Sequence, residues 1–372
     1  MDVCVIGCGG IGSAAALLLR SYAPSVHLRL FDADAGRIHQ ALELARAIPG
    51  DDPAAAVVNL NGSVEDLRAH ISGSAIVLDC SPGRFGPKVA EAALSVGAAY
   101  ASLTEHVHET AEVIKLTHKH QGTSVIQTGL APGYIDVLGM VALKRFRAAH
   151  GVQNVRRLAL RVGAVTQHDV PGPHYGWTWS PIGVAVEYLE PSVVVRGHKV
   201  TTAGALSDRE TLSICGETWE ADLTSGGAAD LPDVLHDQIE TLDYKTVRYP
   251  GHYAWVDSLL AGLAEGPGRA DRLQAAMEAV VPVVEDDRIV LAAIVEGDDA
   301  QGKPQRLSIE KVILPSVIAG HRLRAIQTTT AAPLVQCALD VIDGRITGLV
   351  SQSMLGEEFL RGAVIQDIYG EP

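Results

Sequence analysis

Near the start of the chain, Gly7-Cys8-Gly9-Gly10-Ile11-Gly12 forms a GxGxxG loop between an apolar run and an Ala/Leu-rich stretch. A loop of this kind cradles a pyrophosphate. Gly7 permits a tight turn, Gly9 lets backbone approach the phosphates, and Gly12 lets helix and strand pack closely. The first N–H groups of the following helix, at Gly10 and Ile11, then face the phosphates at the positive end of the helix dipole. Asp32 ends the next apolar run, about twenty residues on, where an acid hydrogen-bonds ribose hydroxyls and repels a 2'-phosphate. The chemistry this implies is hydride transfer with a nicotinamide dinucleotide, NAD in preference to NADP, a preference that Arg37 just downstream softens. FAD, S-adenosylmethionine or an empty scaffold are the competing readings of the same loop. Ser81 and Pro82 follow Asp79 at the end of a fourth apolar run, where a sheet edge faces ribose and nicotinamide; an ordinary turn is the alternative there.

The elements that must position these residues alternate strand and helix, the pattern of βαβ units on a parallel sheet. Strands are expected at Val3 to Ile6, His27 to Phe31, Ala56 to Leu60, Ala75 to Asp79, Tyr100 to Leu103 and Ser124 to Thr128. Helices are expected from Ile11 to Ser21, Lys88 to Val96 and Glu109 to His120. Beyond residue 129 the pattern changes to β-rich segments at Val155 to Val165, Ser192 to Val200, Arg288 to Val295 and Gln305 to Leu314, the last two joined as a hairpin through Asp298 to Lys303. The expected class is α/β: an N-terminal Rossmann dinucleotide-binding domain (1–128 with 330–372) plus a second α+β domain with a mixed or antiparallel sheet (129–329). A chain of 372 residues is long enough for two such cores.

Composition excludes several classes of partner. A formal net charge of -14 argues against nucleic acid or an anionic membrane surface. No apolar run is long enough to cross a bilayer, and with the first strand expected to begin at Val3 no signal peptide is expected before it. The 5 cysteines are scattered without CxxC spacing, as expected of reduced thiols in a cytoplasmic protein. Glu105, His106, His108 and Glu109, like His118 and His120, lack metal-ligand spacing and read as a solvated helix face, so no metal is expected. No GxSxG elbow is present.

Four further segments occur in order: Gly129-Leu130-Ala131-Pro132-Gly133, Tyr175-Gly176-Trp177-Thr178-Trp179-Ser180-Pro181, Thr224-Ser225-Gly226-Gly227 and Lys245-Thr246-Val247-Arg248-Tyr249-Pro250-Gly251-His252. With the glycine loop, they resemble the saccharopine dehydrogenase family over nearly the whole chain, and within it the lysine 6-dehydrogenase-like branch. Ala131 stands where saccharopine-forming members carry an acid, Asp136 where relatives carry an asparagine, and Asn61 where the adenine-binding strand of relatives ends in an aspartate. The resemblance implies oxidation of a carbon bearing an amine, with hydride passed to NAD. In a lysine 6-dehydrogenase, the terminal amine of L-lysine is lost to give 2-aminoadipate 6-semialdehyde. Related branches, saccharopine and carboxynorspermidine dehydrogenases, condense an amine with a carbonyl and reduce the imine. A dinucleotide-binding protein without chemistry is the third reading. The resemblance also implies a homodimer or higher homo-oligomer.

Such a reaction needs a carboxylate clamp, a means of holding the amine neutral, and a dry pocket. Arg248 is the candidate clamp, because guanidinium grips a carboxylate through two parallel hydrogen bonds; a structural ion pair is its alternative role. Lys245 and His252 share that segment, and the Pro-Gly turn between them is expected to bring them into one pocket, His252 as a proton acceptor. A structural role for each competes with the catalytic one. Tyr175, Trp177 and Trp179 are candidates to wall the nicotinamide or the substrate's methylene stem, against plain core packing or a subunit contact. Thr224 and Ser225, beside Gly226-Gly227, are candidates to bind the substrate's polar end, against a generic turn. Tyr134 and Asp136 follow the GLAPG loop where the first domain crosses into the second, and one of them is expected to meet the substrate, Asp136 as a third proton-transfer candidate.

Overall fold

The computed structural model describes residues 1–104 and 107–372; Glu105 and His106 lie outside the described residues. The chain divides into two compact units. The first comprises Met1–Tyr134, Ser316–Leu323 and Gln327–Pro372, the second Ile135–Pro315 and Arg324–Ile326.

In the first unit, strands and helices alternate as the apolar runs require. They are β1 (Asp2–Ile6), α1 (Gly10–Tyr22), β2 (His27–Asp32), α2 (Ala35–Arg46), β3 (Ala54–Val57), α3 (Val64–Ile71), β4 (Ser74–Asp79), α4 (Gly86–Ser95), β5 (Ala99–Ser102), α5 (Val107–His120) and β6 (Ser124–Val125). Val3 to Ile6 and Ile76 to Leu78 are fully buried, the mark of parallel strands covered on both faces. β3 is shorter and earlier than its apolar run suggests. The side chain of Asn59 accepts from Asn61 N at 3.0 Å and its carbonyl accepts from Gly62 N at 2.9 Å, a turn that ends the strand. α2 and α3 were not expected, yet both carry local signals: Asp34 caps α2, and Ser63 with Asp66 forms a capping box on α3.

The second unit follows with α6 (Tyr134–His150), β7 (Val155–Thr166), α7 (Pro181–Glu187), β8 (Ser192–Arg196), β9 (Lys199–Ala203), β10 (Glu210–Ile214), β11 (Glu217–Leu223), α8 (Leu231–Leu235), β12 (Ile239–Arg248), α9 (His252–Ala261), α10 (Arg269–Glu278), β13 (Asp287–Asp298) and β14 (Pro304–Ile313). α6 opens with Tyr134, which counts with the first unit. The stretch Ser192 to Val200 is a hairpin rather than one strand, because Gly197 and His198 turn it with φ of 56° and 63°. The sheet runs β10-β11-β12-β7-β13-β14, with β8 paired to β12 and β9 paired to β8. It is mixed: β12 pairs parallel to β7, while β13 pairs antiparallel to β7 and β14.

The chain closes with β15 (Ser316–Ile318), β16 (His321–Leu323), α11 (Ala325–Ile342), β17 (Leu349–Val350), α12 (Glu357–Leu360) and α13 (Ala363–Tyr369). β17 pairs parallel with β6 and completes a seven-stranded sheet in the order β17-β6-β5-β4-β1-β2-β3. No described helix is long and apolar enough to cross a membrane.

Candidate active site

The glycine loop has the geometry its sequence requires. Gly7 has φ +92°, and a Cβ on Gly12 would stand 1.8 Å from the Gly7 carbonyl oxygen, so neither position admits a side chain. A Cβ on Gly9, by contrast, would meet nothing within 4 Å, and no side chain caps α1. An uncapped helix start with an open approach fits a dinucleotide pyrophosphate. Gly10 is exposed and Ile11 half-buried in that first turn. Asp32 is buried, its carboxylate accepting from Cys8 N at 2.7 Å and Asp34 N at 2.9 Å. The acid therefore ties the glycine loop to the end of β2 while keeping lone pairs to spare. Burial, reinforced by Asp32, pushes the Cys8 thiol up to about 12, so this loop cysteine stays protonated. Ser81 is tethered through N–H (3.0 Å) and Oγ (2.6 Å) to Asp79 Oδ1, Pro82 is exposed beside it, and Asn61 is exposed beyond β3.

The second constellation lies on β12. Side chains alternate across a strand, so Tyr244, Thr246 and Arg248 share one face and Asp243, Lys245 and Val247 the other. Arg248 is 1% exposed. Its Nε donates to Tyr188 Oη at 2.8 Å and its Nη1 to the Val247 carbonyl at 3.0 Å. The Tyr175 ring centroid lies 4.7 Å from the guanidinium carbon. Among the described residues no carboxylate lies at ion-pair distance from Arg248, although the Glu187 charge acts on it, and no acceptor takes a hydrogen bond from Nη2. Tyr188 Oη sits 2.9 Å from His252 Nε2, and His252 Nδ1 sits 2.7 Å from the Pro173 carbonyl. Burial first, then the Arg248 charge, brings His252 down to about 3, which keeps it neutral.

On the opposite face the charges are paired. Arg161 meets Asp243 at 2.7 Å, Arg196 meets Asp243 at 2.9 Å, Arg157 meets Glu210 at 2.9 Å, and Lys245 meets Asp208 at 3.2 Å. Burial works against ionisation of Asp243, but Arg161, Lys245, Arg157 and Arg196 hold its carboxyl down at about 2. The expectation that Lys245 and His252 share a pocket with Arg248 is therefore corrected for Lys245. Three residues along a strand reverse the face, and the amine spends its hydrogens on Asp208. His252 does stand beside Arg248, but both ring nitrogens are engaged, which leaves no lone pair to accept a substrate proton.

Of the other expected site residues, Tyr175 stands over Arg248, whereas Trp179 is half-buried and lies across Gly183 at the edge of a core cluster built on Tyr175, Trp177, Tyr188 and Tyr253. Thr224 Oγ1 lies 2.7 Å from Thr246 Oγ1 on the Arg248 face, and Ser225 is half-buried with its N–H directed to the Glu187 carbonyl at 3.4 Å. Asp136 is fully buried in the first turn of α6, and its charge acts on Tyr244, a neighbour of Arg248 on β12. Tyr134 belongs to the first unit, its ring stacked 3.5 Å from Tyr369. Sequence reasoning missed Tyr188, which has no local motif. Among the described residues no group of three or more His, Cys, Asp or Glu side chains is placed to hold a metal.

A parallel sheet whose first crossover carries an open glycine cradle, followed by a mixed-sheet domain, defines a two-domain dinucleotide-dependent dehydrogenase. Residues 3–126 match the saccharopine dehydrogenase NADP binding domain, and residues 129–361 match the saccharopine dehydrogenase C-terminal domain. The chain belongs to the saccharopine dehydrogenase family, and as a member is an NAD(P)-dependent oxidoreductase of amino-acid-like substrates. Its fold is similar to that of apo saccharopine dehydrogenase (L-Glu forming) from Saccharomyces cerevisiae, at 15% identity and TM-score 0.74 over 99% of this chain and 98% of that one. It is also similar to homospermidine synthase from Legionella pneumophila, solved in complex with NAD, at 13% identity and TM-score 0.71 over 100% of this chain and 90% of that one. A probable dehydrogenase from Thermotoga maritima shares the fold at 12% identity and TM-score 0.51, over 99% of this chain and 98% of that one.

Proposed function

We propose that this chain is an NAD-dependent oxidoreductase acting on the CH–NH group of an amino acid, and that it removes the terminal amine of L-lysine or a close analogue to give 2-aminoadipate 6-semialdehyde. The observation that supports this reading is Arg248: a buried cation with no carboxylate at ion-pair distance among the described residues, the Glu187 charge acting on it only from farther off, and with Nη2 making no hydrogen bond. A cation held out of water without a directly paired carboxylate is unfavourable. A substrate carboxylate docked on Nη1 and Nη2 supplies both the charge and two parallel hydrogen bonds. The Tyr175 ring shapes the side of that slot, and the Thr224–Thr246 hydroxyl pair serves a polar end of the substrate.

Hydride leaves the carbon only if the amine is neutral, because the nitrogen lone pair drives the departure. Of the three proton-transfer candidates, Lys245 is committed to the opposite face and His252 is saturated. Asp136 takes that role in this reading. Gly7, Gly9, Gly12 and the start of α1 hold the dinucleotide, which when bound accepts a hydride from the substrate carbon. Asp32 favours NAD, since a 2'-phosphate would meet its fixed, buried carboxylate, whereas ribose hydroxyls can donate to it.

The test is NADH formation followed by absorbance with lysine, ornithine, diamines and saccharopine, with NADP run in parallel. A signal with lysine or a near analogue, larger with NAD, is the expected result. Dinucleotide binding with no oxidation of any of these, but consumption of NADH once an amine and an aldehyde or oxo acid are supplied together, would replace this reading with reductive condensation.

A further inference from the structure

The hydrogen-bond chain behind Arg248 has only one consistent direction. An arginine Nε–H can only donate, so Tyr188 Oη accepts from it at 2.8 Å. The Pro173 carbonyl can only accept, so His252 Nδ1 must carry the hydrogen that spans 2.7 Å to it. In the neutral ring, Nε2 is then a bare acceptor and receives the Tyr188 O–H across 2.9 Å. Each group has its single donor and acceptor capacity used, and the chain ends on a backbone oxygen that cannot rotate away. Tyr188, His252 and Arg248 are all fully buried, so no solvent competes for these bonds.

We propose that Tyr188 and His252 are positioning residues that fix the guanidinium of Arg248 end-on to the substrate carboxylate. This rests on the reading of Arg248 as the clamp. Tyr188 occupies Nε and so removes the side-on Nε/Nη2 edge that a carboxylate would otherwise use. What remains is the Nη1/Nη2 end, and only one approach gives two hydrogen bonds. His252 acts through Tyr188: with Nε2 as acceptor, the phenol hydrogen points away from Arg248 and its lone pairs toward it. A protonated His252 would turn Nε2 into a donor, and Tyr188 would then have to point its hydrogen elsewhere.

Steady-state kinetics on the full-length protein test this, with the amino acid giving the highest rate in the panel and the corresponding diamine, which lacks the carboxylate. Tyr188→Phe and His252→Leu should each raise KM for the amino acid about tenfold, the scale of one charge-assisted hydrogen bond, with kcat little changed and the diamine unaffected. The double variant should be no worse than either single one, because both break the same chain. His252→Gln, which places an amide oxygen near the position of Nε2, should restore KM to within about threefold. If the variants weaken amino acid and diamine alike, or lower only the melting temperature, the two residues are structural and the proposal fails. If Arg248→Ala itself leaves KM for the amino acid unchanged, it is the clamp reading that has failed. A readout independent of turnover is the ¹⁵N spectrum of labelled histidine. His252 should remain the neutral Nδ1–H form from pH 8 down to 5, and ordinary protonation near pH 6.5 would overturn the proposal.

Discussion

The two faces of β12 both bury cations, and they treat them in opposite ways. On one face Lys245, Arg157, Arg161 and Arg196 are matched by Asp208, Glu210, Asp243 and Glu296. On the other, Arg248 is equally hidden; among the described residues its direct contacts are tyrosines and a backbone carbonyl, and the Glu187 charge reaches it without an ion-pair contact. The first arrangement is complete in itself, each charge having its counter-charge within the fold. The second has no carboxylate in direct contact among the described residues. A buried cation marks a binding site by lacking partners, and burial alone says little.

The sharpest way to break the comparison is to unbalance the complete face. Asp243→Asn takes from Arg161 and Arg196 the carboxylate they share and leaves Glu210 to the first and Asp208 to the second, so the cost should lie near the low end, about 3 kcal/mol, of a broken buried pair. Denaturant unfolding should register that loss, while KM for the amino acid in the folded fraction stays as in the parent. An equal rise in KM would mean that the two faces are coupled. The converse substitution, Arg248→Ala, should raise KM about a hundredfold, the scale of a lost bidentate charged contact. Its stability should change far less, because no carboxylate loses a direct ion pair, Glu187 acting on Arg248 only from beyond that distance. Loss of stability comparable to that of Asp243→Asn would make Arg248 a structural residue.

This contrast also explains what could be read in advance. The first unit was legible because its strands are apolar on both faces, and because Gly7, Gly9, Gly12 and Asp32 fall at spacings fixed by backbone geometry. Its misses were local: the turn at Asn59 that shortens β3, and the caps at Asp34 and Ser63 that announce α2 and α3. β12 was illegible for the opposite reason. Asp243, Lys245 and Arg248 are all buried, so no alternation of apolar and polar residues betrays the strand, and Lys245 and Arg248 read as one cluster when they face apart. Tyr188 lies sixty positions before Arg248, and only tertiary pairing brings it there. Arg248 could be named as the clamp, but the chain that orients it could not.

The histidine on the ligand face gives a smaller effect with a definite sign. Folding carries His252 from its ordinary 6.5 down to about 3. As pH falls through 6.5 the unfolded chain gains a proton that the folded chain refuses, so this contribution to stability is whole above 6.5 and is lost progressively towards 3. Arg248, His174 and Arg209 are the charged or titratable neighbours that reinforce the shift beside burial. Between pH 6.5 and 5 the parent should lose about 2 kcal/mol through this group, and His252→Gln should lack that part of the decline. Parallel acid limbs in the two proteins would mean that His252 titrates normally, and the directed chain to Arg248 would lose its fixed end.

The smallest expected effect discriminates most finely. Lys245→Met removes a cation from the complete face, but there Glu210 keeps Arg157 and Arg161, and Asp208 keeps Arg196. No carboxylate is stranded, and methionine fills the space left by the lysine stem, so stability should move by about 1 kcal/mol or less. Kinetic constants should be unchanged, because Lys245 projects from the opposite side of the strand to Arg248. A large fall in kcat here, with stability retained, would put the amine of Lys245 in the chemistry after all. It would require β12 to present both side chains to one substrate, which a strand of regular pleat cannot do.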